Sequence, residues 1–119
     1  MLRTAFVLVL ALGAFGEARA QRLLEPVETS FEVPLALAVL PAGGVGGVNF
    51  KPCDTCTGYS RLLTASTRFF VNGREVMAAD FVTAANDIRK AEAANPRSLL
   101  MLYVDMKTQQ VNRAAVFQP

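Results

Sequence analysis

The chain has 119 residues, twelve of them basic and ten acidic, and it contains neither histidine nor tryptophan. The missing imidazole removes the commonest general base and the commonest metal ligand, and a formal net charge of +2 gives no electrostatic pull toward nucleic acid or an acidic lipid surface. A chain of this length makes one domain with a core of its own, and its two cysteines allow one internal disulfide.

Residues 1–20 predict a cleavable secretory signal peptide. Arg3 supplies a minimal positive start, and Ala5 to Phe15 is an almost unbroken apolar run. That run is shorter than the roughly 20 residues a spanning helix needs. Ala18-Arg19-Ala20 then offers small side chains at an A-x-A cleavage site. The expected mature chain begins at Gln21 and keeps ten basic and nine acidic residues, in the periplasm or secreted. No later segment is apolar and long enough to cross a bilayer, so no stable membrane span is expected after cleavage.

Residues 21–29 are polar and read as a flexible N-terminal arm, leaving a single domain over residues 30–119. Phe31, Val33, Leu35, Leu37 and Val39 share one parity, the mark of a strand with one buried face. Pro34 places that strand at an edge or bulge, because proline cannot donate to the ladder. Pro41 to Gly47 reads as a flexible glycine-rich loop. It precedes a strand and lacks the Lys-Ser/Thr of a phosphate-binding loop. A second strand carries Val48 and Phe50 and ends at Lys51-Pro52 and a cysteine turn.

A third strand is expected over Tyr59 to Ala65, followed by a separate hairpin with Arg68 to Val71 and Arg74 to Val76 as its arms. Asn72-Gly73 between them suits a type I′ turn, which needs positive φ at both central residues. Phe81, Ala85 and Ile88 then recur at helical spacing within an alanine-rich segment, residues 78–94, that Asn95-Pro96 stops. Asp80, Asp87 and Glu92 fall on this helix and read as a solvated face. Leu99 to Asp105 and Gln110 to Phe117 are the last two strands. The order predicts an α+β fold: a small OB-like β-barrel or roll with one helix inserted before the last two strands.

Three patches together carry a resemblance: Phe50-Lys-Pro-Cys53 with Cys56; Thr67 to Val76 with its Val-Asn-Gly turn, followed by Phe81; and Tyr103-Val-Asp-Met-Lys-Thr108 with Val111 and Arg113. The chain resembles small exported proteobacterial proteins of unknown function, and its second half is similar to β-rich, OB-like envelope domains. The resemblance covers roughly half of the expected mature chain. It implies a fold and carries over no catalytic residue.

Cys53-Asp-Thr-Cys56 is the one constellation with chemistry of its own. A thioredoxin-type site needs its first cysteine at a helix N-terminus, whereas Thr57-Gly58-Tyr59 lead into a strand. One chain offers two thiols toward the four ligands of a zinc site. A structural disulfide is the expected role, with thiol–disulfide exchange or soft-metal binding as alternatives. A candidate binding face gathers Tyr59, Arg61, Arg68, Phe70 and Arg74, with Phe69 nearby, as barrels of this type use basic-aromatic surfaces. The blander arrangement puts those aromatics in the core and the arginines at the rim. The expectation is a non-enzymatic exported module that binds a ligand or supports an assembly. It calls for no cofactor, no metal and no nucleic acid, and an envelope protein is the candidate partner. The alternative is a periplasmic thiol–disulfide or soft-metal protein.

Overall fold

A computed structural model describes residues 27–119. The expected signal peptide, its cleavage site and residues 21–26 of the expected arm lie outside the described residues. Among those described, seven strands and one α-helix follow one another: β1 (Glu28–Pro34), β2 (Ala38–Val39), β3 (Gly46–Phe50), β4 (Tyr59–Val71), β5 (Arg74–Val76), α1 (Ala78–Ala91), β6 (Leu99–Asp105) and β7 (Gln110–Phe117). Short 3-10 turns occupy Leu35–Leu37 and Ala42–Gly44. The strands form one sheet in the order β1-β6-β7-β4-β3-β2, with β5 against the far half of β4. The sheet curls into a half-barrel with one helix, a small α+β fold.

Alternation builds most of the inner face. Leu100, Leu102 and Val104 of β6 are buried, as are Leu63 and Phe69 of β4 and Val111, Ala114 and Val116 of β7. The odd and even positions of β6 and β4 face opposite sides of the sheet, whereas β7 changes parity between Val111 and Ala114, where its register slips. Helix α1 adds Phe81, Ala85 and Ile88 to the same core, four and three residues apart as an apolar stripe requires. Phe81 meets Phe69 with ring centroids 4.9 Å apart, which seats the helix on the far end of β4. Asp80 in the first turn and Arg89 and Lys90 in the last complement the helix dipole.

Both central residues of the expected hairpin turn have positive φ, 49° at Asn72 and 86° at Gly73. Asn72 also ties the turn to the chain's end: its N–H donates to the Val116 carbonyl at 2.9 Å, and its Oδ1 accepts the Gln118 N–H at 2.8 Å. In the Tyr103–Thr108 motif, Asp105 Oδ1 accepts the N–H groups of Lys107 and Thr108, the side-chain turn that aspartate favours.

The structure corrects several expectations. The first strand does not run to Val39. It breaks after Pro34, the last residue of the edge strand β1, into a 3-10 turn that reverses the parity, so that Ala38 is buried and Val39 exposed. It also starts at Glu28, inside the segment read as an arm, because Glu28 and Thr29 pair with Asp105 and Val104. The helix ends at Ala91, three residues short of the expected end.

Residues 59–71 form one continuous strand and not a strand followed by a separate hairpin arm. Its irregularity is a bulge: β4 advances from Leu63 to Arg68 while the parallel neighbour β7 advances only from Val111 to Arg113. Buried Thr67 stitches the bulge. Its hydroxyl donates to the Val111 carbonyl at 2.7 Å and accepts the Thr64 N–H at 2.9 Å. The glycine-rich loop is not a slack connection either, since Gly44 is buried against Ala78 at the start of α1.

Candidate functional site

One end of the half-barrel carries a cluster of aromatic side chains. Phe31 of β1 and Phe50 of β3 are on strands that do not pair, yet their ring centroids lie 5.1 Å apart in an edge-on contact. The curl of the sheet has brought β1 over the inner face of β3. Tyr59, opposite Phe50 in the β3–β4 ladder, stacks on Phe50 at 5.8 Å and tilts over Phe31 at 5.5 Å. Phe50 is buried, whereas Tyr59 keeps 40 % of its surface exposed. This aromatic set forms the mouth.

Arg61, two residues further along β4, shares the inner face with Tyr59. Its guanidinium carbon is 5.5 Å from the Phe31 ring centre and 5.6 Å from that of Tyr59, within reach of a cation–π attraction. Its Nη1 donates to the Ser60 carbonyl at 2.8 Å. Its Nε is buried without a hydrogen-bond partner. A groove of about 520 Å³ opens beside the mouth, walled by Leu37, Val39, Phe50 and Tyr59, with Lys51 among its lining residues. The Lys51 N–H donates to the Leu37 carbonyl, which fixes the groove's two banks to each other.

The other arginines that lie over aromatic rings are neutralised. Arg68 donates from Nε and Nη2 to both carboxylate oxygens of Glu75, at 3.0 and 2.8 Å, and lies over Phe70. That hydrogen-bonded pairing lowers the Glu75 pKa and raises that of Arg68. Arg113 lies 4.1 Å from the Tyr103 ring centre and donates to Glu28 at 3.1 Å. Glu28 is held below the usual carboxylate range by the Asn112 side-chain amide and by Arg113. Among the described residues, Arg61 has no such carboxylate.

The five residues proposed as one basic-aromatic face do not come together. Tyr59 and Arg61 sit on the inner face at the mouth. Arg68 and Phe70 occupy even positions of β4 and face the outside of the sheet. Arg74, opposite Val71 in the β5 hairpin, lines a separate shallow depression with Asp80. Phe69 is core. Phe31 and Phe50, which fall outside the expected binding face, complete the mouth.

Cys53 and Cys56 are joined in a disulfide. The Cys56 N–H donates to the Cys53 carbonyl at 3.1 Å, closing a tight turn between β3 and β4. The segment that follows is a strand, so no helix N-terminus faces Cys53. The turn joins the strands that carry Phe50 and Tyr59 and thus anchors one side of the mouth. No family model, curated protein or solved structure matches this chain.

Glu92 is no solvated bystander. At the end of α1 its carboxylate accepts the Ser98 hydroxyl at 2.6 Å and the N–H groups of Ser98 and Arg97, which together lower its pKa. Asp80 and Asp87 are exposed. Arg89 Nη2 donates to the Leu35 and Ala38 carbonyls, tying α1 to the turn between β1 and β2, and burial lowers its pKa. Among the described residues, no helix is long and apolar enough to cross a membrane.

Proposed function

We propose that this chain is a small exported, non-enzymatic binding module of OB-like architecture whose ligand site is the mouth formed by Phe31, Phe50, Tyr59 and Arg61. The observation that carries this reading is the partly open aromatic cluster: Phe31, Phe50 and Tyr59 pack together around Arg61, and Tyr59 keeps 40 % of its surface exposed. A concave, mostly apolar site with a few polar groups is the usual form of a small-ligand pocket.

Three features support the OB-like part of the reading. The first strand, bent at the 3-10 turn, pairs with β6 through β1 and with β3 through β2, and so nearly closes the sheet. The helix stands before the last two strands, and β4 runs parallel to β7. The resemblance to exported envelope proteins belongs to the same proposal, and a disulfide-bonded cysteine pair suits an oxidising compartment. Within it the Cys53–Cys56 bond is structural. The double change Cys53→Ser, Cys56→Ser then costs about 2 kcal/mol by the loop-entropy relation for so short a loop and leaves the mouth assembled. Loss of all ligand binding with the fold intact would instead favour the thiol–disulfide alternative.

The direct test is a fragment screen read by backbone-amide NMR shifts. Binding fragments are expected to shift the amides of residues 31, 50, 59 and 61. Shifts confined to the outer sheet face, or none at all, would overturn the assignment of the site.

A further inference from the structure

Among the described residues, Arg61 at the mouth has no carboxylate partner. It is partly desolvated between two aromatic rings, its Nε–H has no acceptor among those residues, and its Nη1 is engaged by a neutral carbonyl. Arg68 and Arg113, which also lie over aromatic rings, both have carboxylate partners. Coulomb attraction grows as water is excluded, so an unpaired guanidinium in a half-closed site is a stronger anion receptor than the same group on open surface. Beside it stands the exposed face of Tyr59.

We propose that the mouth takes an aryl carboxylate, the carboxylate seated on Arg61 and the flat apolar body laid against the Tyr59 and Phe31 rings. Arginine recognises a carboxylate through paired N–H donors. Nη2 supplies one donor, and a swing of the Tyr59 ring exposes Nε as the other. The stacked ring adds dispersion and aromatic attraction that a bare anion lacks. Acetate alone therefore binds weakly, and so does a neutral arene.

This inference rests on the mouth being the ligand site, and the test separates the two. The purified protein is titrated with 2-naphthoate and with 2-naphthylmethanol, following amide shifts at the mouth. The acid is expected to bind about tenfold more tightly than the alcohol, as a charge-assisted pair implies. Its affinity should fall as salt is raised from 50 to 500 mM, by about threefold or more, while that of the alcohol stays level. Arg61→Gln should erase the acid's advantage, and Arg61→Lys should keep part of it. Equal, salt-insensitive binding of acid and alcohol at the mouth would overturn the carboxylate inference and leave the binding-module reading standing. No mouth shifts with either compound would also overturn it, and the fragment screen would then judge the broader reading. The wild-type salt series decides the matter even if an Arg61 variant fails to fold.

Discussion

Gly44 lies so close to Ala78 that a Cβ added to the glycine would stand 2.8 Å from the Ala78 Cβ and 3.0 Å from its carbonyl oxygen. The approach locks the 3-10 turn before β3 to the first turn of α1. Gly43, with a similar positive φ of 76° against 85°, has open space around it. Both positions strain an added side chain through the backbone, and only Gly44 also meets a wall. Gly43→Ala should cost about 1–2 kcal/mol, the usual penalty of a left-handed residue. Gly44→Ala should cost clearly more, because overpacking adds about 1–3 kcal/mol. Denaturant titration of the two variants checks the difference, and equal losses would mean that the turn does not dock on the helix.

The Asn72-Gly73 turn gives a second backbone test. Gly73 has φ of 86°, and a Cβ placed on it would meet nothing within 4 Å, so the penalty there is conformational alone. Gly73→Val should cost about 1–3 kcal/mol, at roughly 4–8 °C of melting temperature per kcal/mol for a domain of this size. Gly73→Asn should cost much less, since asparagine tolerates positive φ. An unchanged melting temperature for the valine variant would contradict the turn.

The helix phase is tested at Phe81 and at the neighbouring pair Asp87 and Ile88. Phe81 is fully buried on Phe69, so Phe81→Ala should cost about 3–5 kcal/mol. Ile88→Asp puts a charge in the core and should unfold the domain, whereas exposed Asp87→Ala should be nearly neutral. Far-UV circular dichroism and thermal melts separate these outcomes.

Acid should destabilise the fold through identifiable carboxylates. Glu28, Glu75, Glu92 and Asp105 all have lowered pKa values in the folded chain: Glu28 by Asn112 and Arg113, Glu75 by Arg68, Glu92 chiefly by the Ser98 hydroxyl, and Asp105 by the Thr108 and Lys107 N–H groups. A group whose folded pKa lies below its unfolded one stabilises fully above the unfolded value. That contribution is lost as pH falls through the folded value. The melting temperature should therefore be level above about pH 5 and fall below about pH 4, the ordinary carboxylate range. Glu92→Gln should lower the plateau and flatten the acid fall, because the amide retains an acceptor but no charge to lose. A melting temperature that rises on acidification would contradict the pairing scheme.

Much of this architecture is legible in the residues. The parity of β6, the Phe81–Ala85–Ile88 stripe and the Asn72-Gly73 turn are local periodicities, and local periodicity is what a sequence displays. The single parity of Val111, Arg113, Ala115 and Phe117 does not hold, because a register slip turns Ala114 and Val116 inward. The mouth is not local. Phe31 and Phe50 meet from β1 and β3, strands that do not pair, a consequence of curl that no spacing encodes. The split of the proposed binding face was readable in part: Tyr59 and Arg61 are odd positions, Arg68 and Phe70 even, and a single strand sends them to opposite faces. Reading the bulge at residues 64–67 as a strand end concealed that continuity. Glu92 eluded the helix pattern because its partners, Arg97 and Ser98, belong to the loop beyond the helix. Gly44 was hidden because a glycine needed for close approach and a glycine in a slack loop look the same in sequence.

A crystal structure of the protein grown with 2-naphthoate decides whether ligand binds at the mouth with its charge on Arg61. Density is expected for the naphthyl ring against Tyr59 and Phe31, with the carboxylate within about 3 Å of the Arg61 guanidinium, the distance of a charge-assisted hydrogen bond. Density seated on the outer face at Phe70 and Arg68, with the mouth closed and Arg61 unchanged, would contradict it.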